Sequence, residues 1–179
     1  MYDAIDDPYT YENSTVLVNK HDLRDQDELG DFEAEISSAR ANEPLPEGKL
    51  DFAHFYEWAG TPRTVRMSKQ GNPFCFPEHI VTQATKLFGD LKAEKYLENL
   101  PPKEFAENAA HFLAELNAIH AFREGNGRTQ LSLFSLLADR AGHPVDLEKL
   151  NPGAMLNAMI AGFDGDETEL TVAIRGLIG

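Results

Sequence analysis

A chain of 179 residues, 42% hydrophobic and 26% charged, has enough apolar side chain for one domain with a single core and no need of staples. Its 30 acidic against 16 basic residues give a formal net charge of −14, a field that argues against direct binding of nucleic acid or of an anionic membrane surface. The one cysteine, Cys75, rules out an intrachain disulfide, offers no cysteine-rich metal site and fits a reducing compartment.

The acidic start Met1-Tyr2-Asp3-Ala4-Ile5-Asp6-Asp7-Pro8 lacks the basic and apolar regions of a signal peptide. No later stretch approaches the ~20 apolar residues of a membrane span. The expected location is therefore cytoplasmic, and with no repeat and no linker the chain reads as one domain over 1–179. Tyr9 to Asn19, with Ser14-Thr15-Val16-Leu17-Val18, reads as a short extended segment. Leu29, Phe32, Ile36 and Ala39 have approximate helical spacing between Asp27 and Ala41. Asn42 to Gly48, with Pro44 and Pro46, is a loop. Leu50, Phe52, Phe55, Tyr56 and Trp58 predict a short aromatic helix ending at Gly60.

Arg63 to Phe74 reads as two short strands about a Gly71-Asn72 turn. An amphipathic helix follows from Pro77 to Leu91, and Ala93 to Leu100 continues or restarts it. Pro101-Pro102 then opens a helix whose apolar face is Phe105, Ala109, Phe112, Leu113, Leu116 and Ile119, and which delivers His120 at its C-terminal end. Leu131, Leu133, Phe134, Leu136, Leu137, Ala138 and Ala141 leave the next helix almost no polar face, which predicts that it is buried near the centre. Gly142-His143-Pro144 stops it, and helical patterns at Pro152 to Phe163 and Glu167 to Ile178 complete the chain. The fold class expected is all-α, with one hairpin.

Chemistry concentrates in His120-Ala121-Phe122-Arg123-Glu124-Gly125-Asn126-Gly127-Arg128, which holds a base, an acid, an anion cradle and a cation in one run. Gly125 and Gly127 permit positive φ and close ligand approach, so successive N–H groups can converge on one anion. The following helix adds its own unpaired N–H groups and the positive end of its dipole. Arg128 can grip phosphate oxygens in a fork, and Asn126 can add a further hydrogen bond. Glu124 is a hard oxygen ligand suited to hold Mg²⁺ together with phosphates and waters. His120, with an unperturbed pKa of about 6.5, is suited to take a proton from an attacking hydroxyl near neutral pH. The constellation points to phosphoryl-transfer chemistry without a Walker motif.

This run resembles the signature of Fic-domain proteins, His-Pro-Phe-x-(Asp/Glu)-Gly-Asn-Gly-Arg-x-x-Arg, at His120, Phe122, Glu124, Gly125, Asn126, Gly127 and Arg128. Ala121 stands where the family has proline and Leu131 where it has a second arginine. The segment from Trp58 to Phe74 similarly resembles the family's β-hairpin flap, although the helix before Trp58 is shorter than the family's by about three turns at ~1.5 Å per residue.

The resemblance implies a Fic fold, a helical bundle around a central buried helix with the hairpin flap over the active site. Its core would be about 77–179 and its flap about 61–76. It implies a protein adenylyltransferase that moves AMP from ATP, with Mg²⁺, to a Tyr, Thr or Ser hydroxyl of a target protein. His120 would be the catalytic base and Glu124 the metal ligand. Gly125, Asn126, Gly127 and Arg128 would bind the phosphates, and Phe122 would have a positioning role. The flap residues Met67, Ser68, Lys69, Gln70, Gly71 and Asn72 would hold the target segment by strand addition.

Two alternatives are another Fic-type transfer, of phosphoryl or phosphocholine, and a non-catalytic nucleotide-binding interaction module. Gly127, replaced by lysine in the phosphorylating relatives, argues against the first. His120 together with Glu124 argues against the second. Fic proteins are commonly restrained by a helix carrying Ser/Thr-x-x-x-Glu-Gly/Asn. Glu12-Asn13, Glu47-Gly48, Glu98-Asn99, Glu107-Asn108 and Glu124-Gly125 all lack the Ser or Thr four residues earlier. The resemblance therefore implies a toxin restrained by a separate small antitoxin that supplies the inhibitory helix.

Overall fold

Prolines and acidic caps set most of the helix boundaries. The computed structural model describes residues 7–40, 56–69 and 71–179, without the side chains of 36–40. Its elements are α1 Gln26–Arg40, β1 Ser68–Lys69, β2 Asn72–Pro73, α2 Pro77–Ala93, α3 Pro102–Ile119, α4 Asn126–Ala141, α5 Pro152–Phe163 and α6 Thr168–Leu177. Asp25 starts α1 by accepting hydrogen bonds from the N–H groups of Asp27 and Glu28 at 2.9 and 3.0 Å. Pro102 and Pro152 sit in the first turns of α3 and α5, where a missing N–H costs nothing, and Asn151 accepts from Ala154 N–H at 3.0 Å. Among the described residues, the helical architecture with one small hairpin is the one expected.

Contacts divide the chain into two units, one of residues 1–77 with 122–125 and one of residues 78–121 with 126–179. In the second unit, α3 packs against α4, α5 and α6. It buries Phe105, Ala106, Ala109, Ala110, Phe112, Leu113, Ala114 and Ile119, its alanines allowing neighbouring helices to approach closely. The central helix of this unit is thus α3. The expectation that α4 would be the buried one is corrected: Leu136 on α4 is 66% exposed, and only Phe134, Leu137, Ala138 and Ala141 of its apolar residues are buried. Gln130 of α4 reaches Asn117 of α3 at 3.4 Å, and Asn117 donates to the Met159 carbonyl of α5 at 3.3 Å, a polar seam across three helices.

The close of α4 follows the Gly-then-Pro stop. Gly142 has φ 86°, its N–H donates to the Asp139 carbonyl, and His143 N–H donates to the Ala138 carbonyl, the paired bonds of a Schellman end. His143 is buried with Nε2 2.8 Å from the Leu100 carbonyl. The join after α2 differs from the helix expected there. Lys95, Tyr96 and Leu97 all have left-handed φ, 55°, 56° and 59°. Such a turn costs about 1–2 kcal/mol per residue and needs tertiary support. Burial of Leu97 supplies part of it, with the Arg140 guanidinium 4.2 Å from the Tyr96 ring centre and its Nε donating to Glu98 at 2.6 Å.

In the first unit an isolated antiparallel bridge between Thr10 and Leu17 forms the expected extended segment. Asn19 closes it: its amide donates to the carbonyls of Leu17 and Leu23 while its oxygen accepts from the N–H groups of His21 and Leu23. The loop at Asn42 to Gly48 and most of the aromatic helix at Leu50 to Gly60 lie outside the described residues, as does the shortening before Trp58. Residues 56–60 form turns, with Gly60 at φ 80°.

The hairpin pairs Ser68 with Pro73 and Lys69 with Asn72. Asn72 therefore opens β2 opposite Lys69 and does not belong to the turn that the sequence suggested at Gly71-Asn72. Gly71, just before β2, takes φ 85°, a left-handed backbone that suits glycine.

Candidate active site

The run from His120 to Arg128 bridges the end of α3 and the start of α4, and each residue's place follows from local backbone needs. His120 caps α3, with φ 46° and ψ 58° and its N–H donating to the Leu116 carbonyl at 3.2 Å. A left-handed residue other than glycine is strained by about 1–2 kcal/mol, a state kept where the surroundings over-determine it. Its side chain is buried, 5% exposed. Gly125, at φ 82°, is the second left-handed residue of the run. The pair bracket a tight loop, Ala121 to Glu124, in which Phe122 and Glu124 are half-buried.

Asn126 is the first residue of α4 and is buried, while Gly127 and Arg128 are exposed in the same first turn. Gly127 is therefore helical, and of the two glycines only Gly125 uses the positive φ that the sequence suggested for both. A Cβ at Gly127 would meet nothing within 4 Å among the described residues, so no protein neighbour among them requires glycine there. The first turn of α4 carries no acidic residue, leaving its N–H groups and positive dipole end uncompensated by a neighbouring carboxylate of the helix. A helix start of this kind suits an anion. Leu131, one turn beyond Arg128, is half-buried and packs against the apolar core of its unit, so a core contact stands at the second-arginine position.

Among the described residues, no group of three or more His, Cys, Asp or Glu gathers to hold a metal by protein ligands alone. Glu124, two residues before the helix start, provides one carboxylate. One carboxylate shared with phosphates and waters suits Mg²⁺ and would not suit a dedicated protein cage.

Of the hairpin residues, Ser68 and Lys69 are half-buried and Gly71 and Asn72 exposed, whereas Met67 is 2% exposed and its side chain belongs to the interior. Gln70 lies outside the described residues. The hairpin is anchored at its base by Arg63, which is buried and donates to the carbonyls of Val65 and Cys75, both at 2.6 Å. Burial draws the Arg63 pKa down from its ordinary value, and Cys75 and Tyr9 act in the opposite direction. Sequence reasoning did not identify Arg63. It also passed over Arg123, which fills an unspecified position of the motif yet is buried in an ion pair with Asp7. No local pattern in the sequence joins residues that far apart.

The Fic/DOC family model matches residues 46–138. The chain is 46% identical, over 99% of its length and 98% of the other's, to the probable protein adenylyltransferase y4lH of Sinorhizobium fredii. To the probable protein adenylyltransferase Fic of Escherichia coli K12 it is 31% identical, over 96% of this chain and 92% of that one. Its fold is similar to the crystal structure of BepC, a translocated effector protein of Bartonella tribocorum with bound AMPPNP. The TM-score is 0.83 at 27% identity, with 96% of each chain covered.

Proposed function

Because the chain belongs to the Fic/DOC family, we propose that it is a protein adenylyltransferase, transferring AMP from ATP to a Tyr, Thr or Ser hydroxyl of a target protein. The observation that carries this is where the matching motif residues stand in the fold. His120 ends α3 in a constrained conformation, and Gly125 to Arg128 form the turn and open first turn of α4. Relatives named as protein adenylyltransferases and a similar fold with bound AMPPNP support the reading.

In this reading the N–H groups of Gly125 to Arg128 and the Arg128 guanidinium hold the phosphates of ATP. Asn126 adds a hydrogen bond, and Phe122 fixes the loop. The hairpin around positions 61–76 holds the target segment by main-chain pairing, bringing a hydroxyl to the nucleotide. The hydroxyl oxygen attacks the α-phosphorus, a P–O bond forms as the bond to the pyrophosphate oxygen breaks, and His120 takes the hydroxyl proton. Glu124 would hold Mg²⁺, which when bound neutralises phosphate charge. Neither Glu124 nor the exposed Arg128 needs to move a proton.

The unit of function is one Fic domain over 1–179, acting in the cytoplasm, with a small separate antitoxin supplying an inhibitory helix. The test is incubation of the purified chain with α-labelled ATP and Mg²⁺ in a bacterial lysate. Labelled protein bands that acquire the mass of AMP are expected. Label from the γ-phosphate instead would indicate phosphoryl transfer, and no label from either would leave a binding module.

A further inference from the structure

Asp7 and Tyr9, separated by one proline, touch two parts of the first unit that are remote in sequence. Oδ2 of Asp7 accepts from Nε and Nη2 of Arg123 at 2.8 and 2.5 Å, and both side chains are buried, 8% and 10% exposed. Oδ1 of the same carboxylate accepts the N–H of Tyr9 at 3.0 Å. The Tyr9 hydroxyl accepts the N–H of Thr64 at 3.1 Å and lies 3.2 Å from the Thr64 hydroxyl, while its ring stands edge-on to Trp58 at 5.4 Å. Thr64 lies between Arg63 and Val65, the residues from which the anchored base of the hairpin is built. Arg123 lies in the loop that follows His120. One short stretch thus binds the signature loop through Asp7 and the hairpin base through Tyr9.

We propose that Asp7 and Tyr9 are positioning residues, a clamp that fixes the register of the target-holding hairpin relative to the loop between His120 and Gly125. The proposal rests on the adenylyltransferase reading for its consequence but not for its geometry. Buried ion pairs often contribute little net stability compared with apolar residues of the same volume, and in this proposal the Asp7–Arg123 pair acts by setting orientation. Here both Arg123 bonds converge on one carboxylate oxygen and the other oxygen orders the turn into Tyr9, so loop and clamp are fixed together. Pro8 holds its own φ near its single allowed value, limiting how far Asp7 and Tyr9 can rotate independently. Transfer by strand addition selects little by side chain, so its accuracy depends on hairpin register.

The experiment uses the full chain as wild type, Tyr9→Phe and Asp7→Asn. Three readouts are taken: amide hydrogen exchange, AMPPNP binding, and α-label transfer to lysate protein. Tyr9→Phe keeps the ring and removes only the bonds to Thr64. It should speed exchange in the hairpin and cut transfer roughly fivefold, the loss expected for neutral hydrogen bonds, with AMPPNP affinity unchanged. Asp7→Asn should speed exchange in both the loop and the hairpin and lower transfer by roughly tenfold or more, the loss expected when a charge-assisted pair is broken.

A merely structural role would lower thermal stability and move binding and transfer together. Unchanged hairpin exchange and unchanged transfer in Tyr9→Phe would overturn the clamp, and that variant decides if Asp7→Asn does not fold. Should the wild type transfer no label, the enzyme reading fails, and the exchange pattern alone still supports or rejects the clamp.

Discussion

Arg63 Nη2 donates to the carbonyl of Cys75 at 2.6 Å, so the residue that leads into the hairpin holds the residue that leaves it. With the second bond, to Val65, the buried guanidinium satisfies two backbone carbonyls on either side of the hairpin. Arg63→Met would keep much of the volume but strand both carbonyls. The expected cost is about 2–4 kcal/mol, on the scale of buried groups left unsatisfied. Arg63→Lys should recover less than half, because an ammonium cannot span both acceptors in the fork geometry. Thermal unfolding of the three proteins checks the order. Equal stability of the Arg63→Met variant and the wild-type chain would show that the hairpin base needs no such anchor.

The elements most legible in the sequence are those whose causes are local. The apolar positions from Phe105 to Ile119 and the two prolines before them specify α3, and Pro152 marks the start of α5. The motif run was legible for the same reason, since its residues are consecutive. The pairing of Asn72 with Lys69 has no local signal, so in the sequence Asn72 reads as part of the turn and not as the start of β2. Leu136 misled because apolarity along a helix does not say which residues have neighbours, and α4 leaves that one in solvent. Asp7, Arg63 and Arg123 could not be found at all. A polar residue buried by pairing looks, in the sequence, like any exposed one. The left-handed turn at Lys95 to Leu97 is likewise fixed by contacts with Arg140 and the core, against local preference.

His120 is expected to be required for transfer and not for nucleotide binding, because in the proposed mechanism the base would act on the nucleophile and not on the phosphates. His120→Asn is the better variant, since asparagine tolerates the left-handed backbone found here and alanine does so less well. Transfer should fall by about two to four orders of magnitude, the usual contribution of a general base, with AMPPNP affinity within about twofold. Comparable loss of AMPPNP affinity would assign His120 to binding or to loop structure.

Glu124→Ala should remove the Mg²⁺ dependence of AMPPNP binding, because no other carboxylate lies in the run from His120 to Arg128. Titrations with Mg²⁺ and with EDTA, on both proteins, give the readout. If the variant keeps the wild-type response to Mg²⁺, the metal is held by groups elsewhere.

A pH effect is expected far from the site. His111 Nδ1 lies 2.9 Å from Glu167, and that hydrogen bond, aided by the charges of Glu167, Glu115 and Glu94, raises the His111 pKa against the effect of burial. A raised folded-state pKa stabilises the fold fully below the unfolded value of about 6.5, and the gain is lost as pH rises through the folded pKa. His111 is exposed and Glu167 half-buried, so the pair is screened by solvent and the effect should be about 0.5 kcal/mol or less. His111→Gln should lower the denaturation midpoint slightly at about pH 5.5 and not at about pH 9, where both chains lack the imidazolium, by roughly that energy. A loss equal at both pH values would mean that the charge contributes nothing.

The last prediction concerns restraint by a separate antitoxin. An inhibitory glutamate entering the phosphate site would ordinarily pair with the second motif arginine, but Leu131 stands there and packs against the core. The glutamate would have to rely on Arg128 and the N–H groups of the α4 start. Losing one charge-assisted partner is worth ~1.5–3 kcal/mol, so restraint through the glutamate alone should be weaker by roughly one to two orders of magnitude. Apolar burial of the inhibitor helix would then supply most of the affinity.

Leu131→Arg tests this, because positions three apart on a helix are neighbours and the new guanidinium would stand beside Arg128. The variant should be less stable by about 1–3 kcal/mol, since a half-buried leucine is lost from the core, and yet should be inhibited more tightly by a co-expressed antitoxin. The wild-type chain expressed alone should arrest growth, and His120→Asn should relieve the arrest. A harmless lone chain that still labels lysate protein would remove the toxin role while leaving the enzyme. Equal inhibition of Leu131→Arg and wild type would mean that the glutamate is not what holds the site closed.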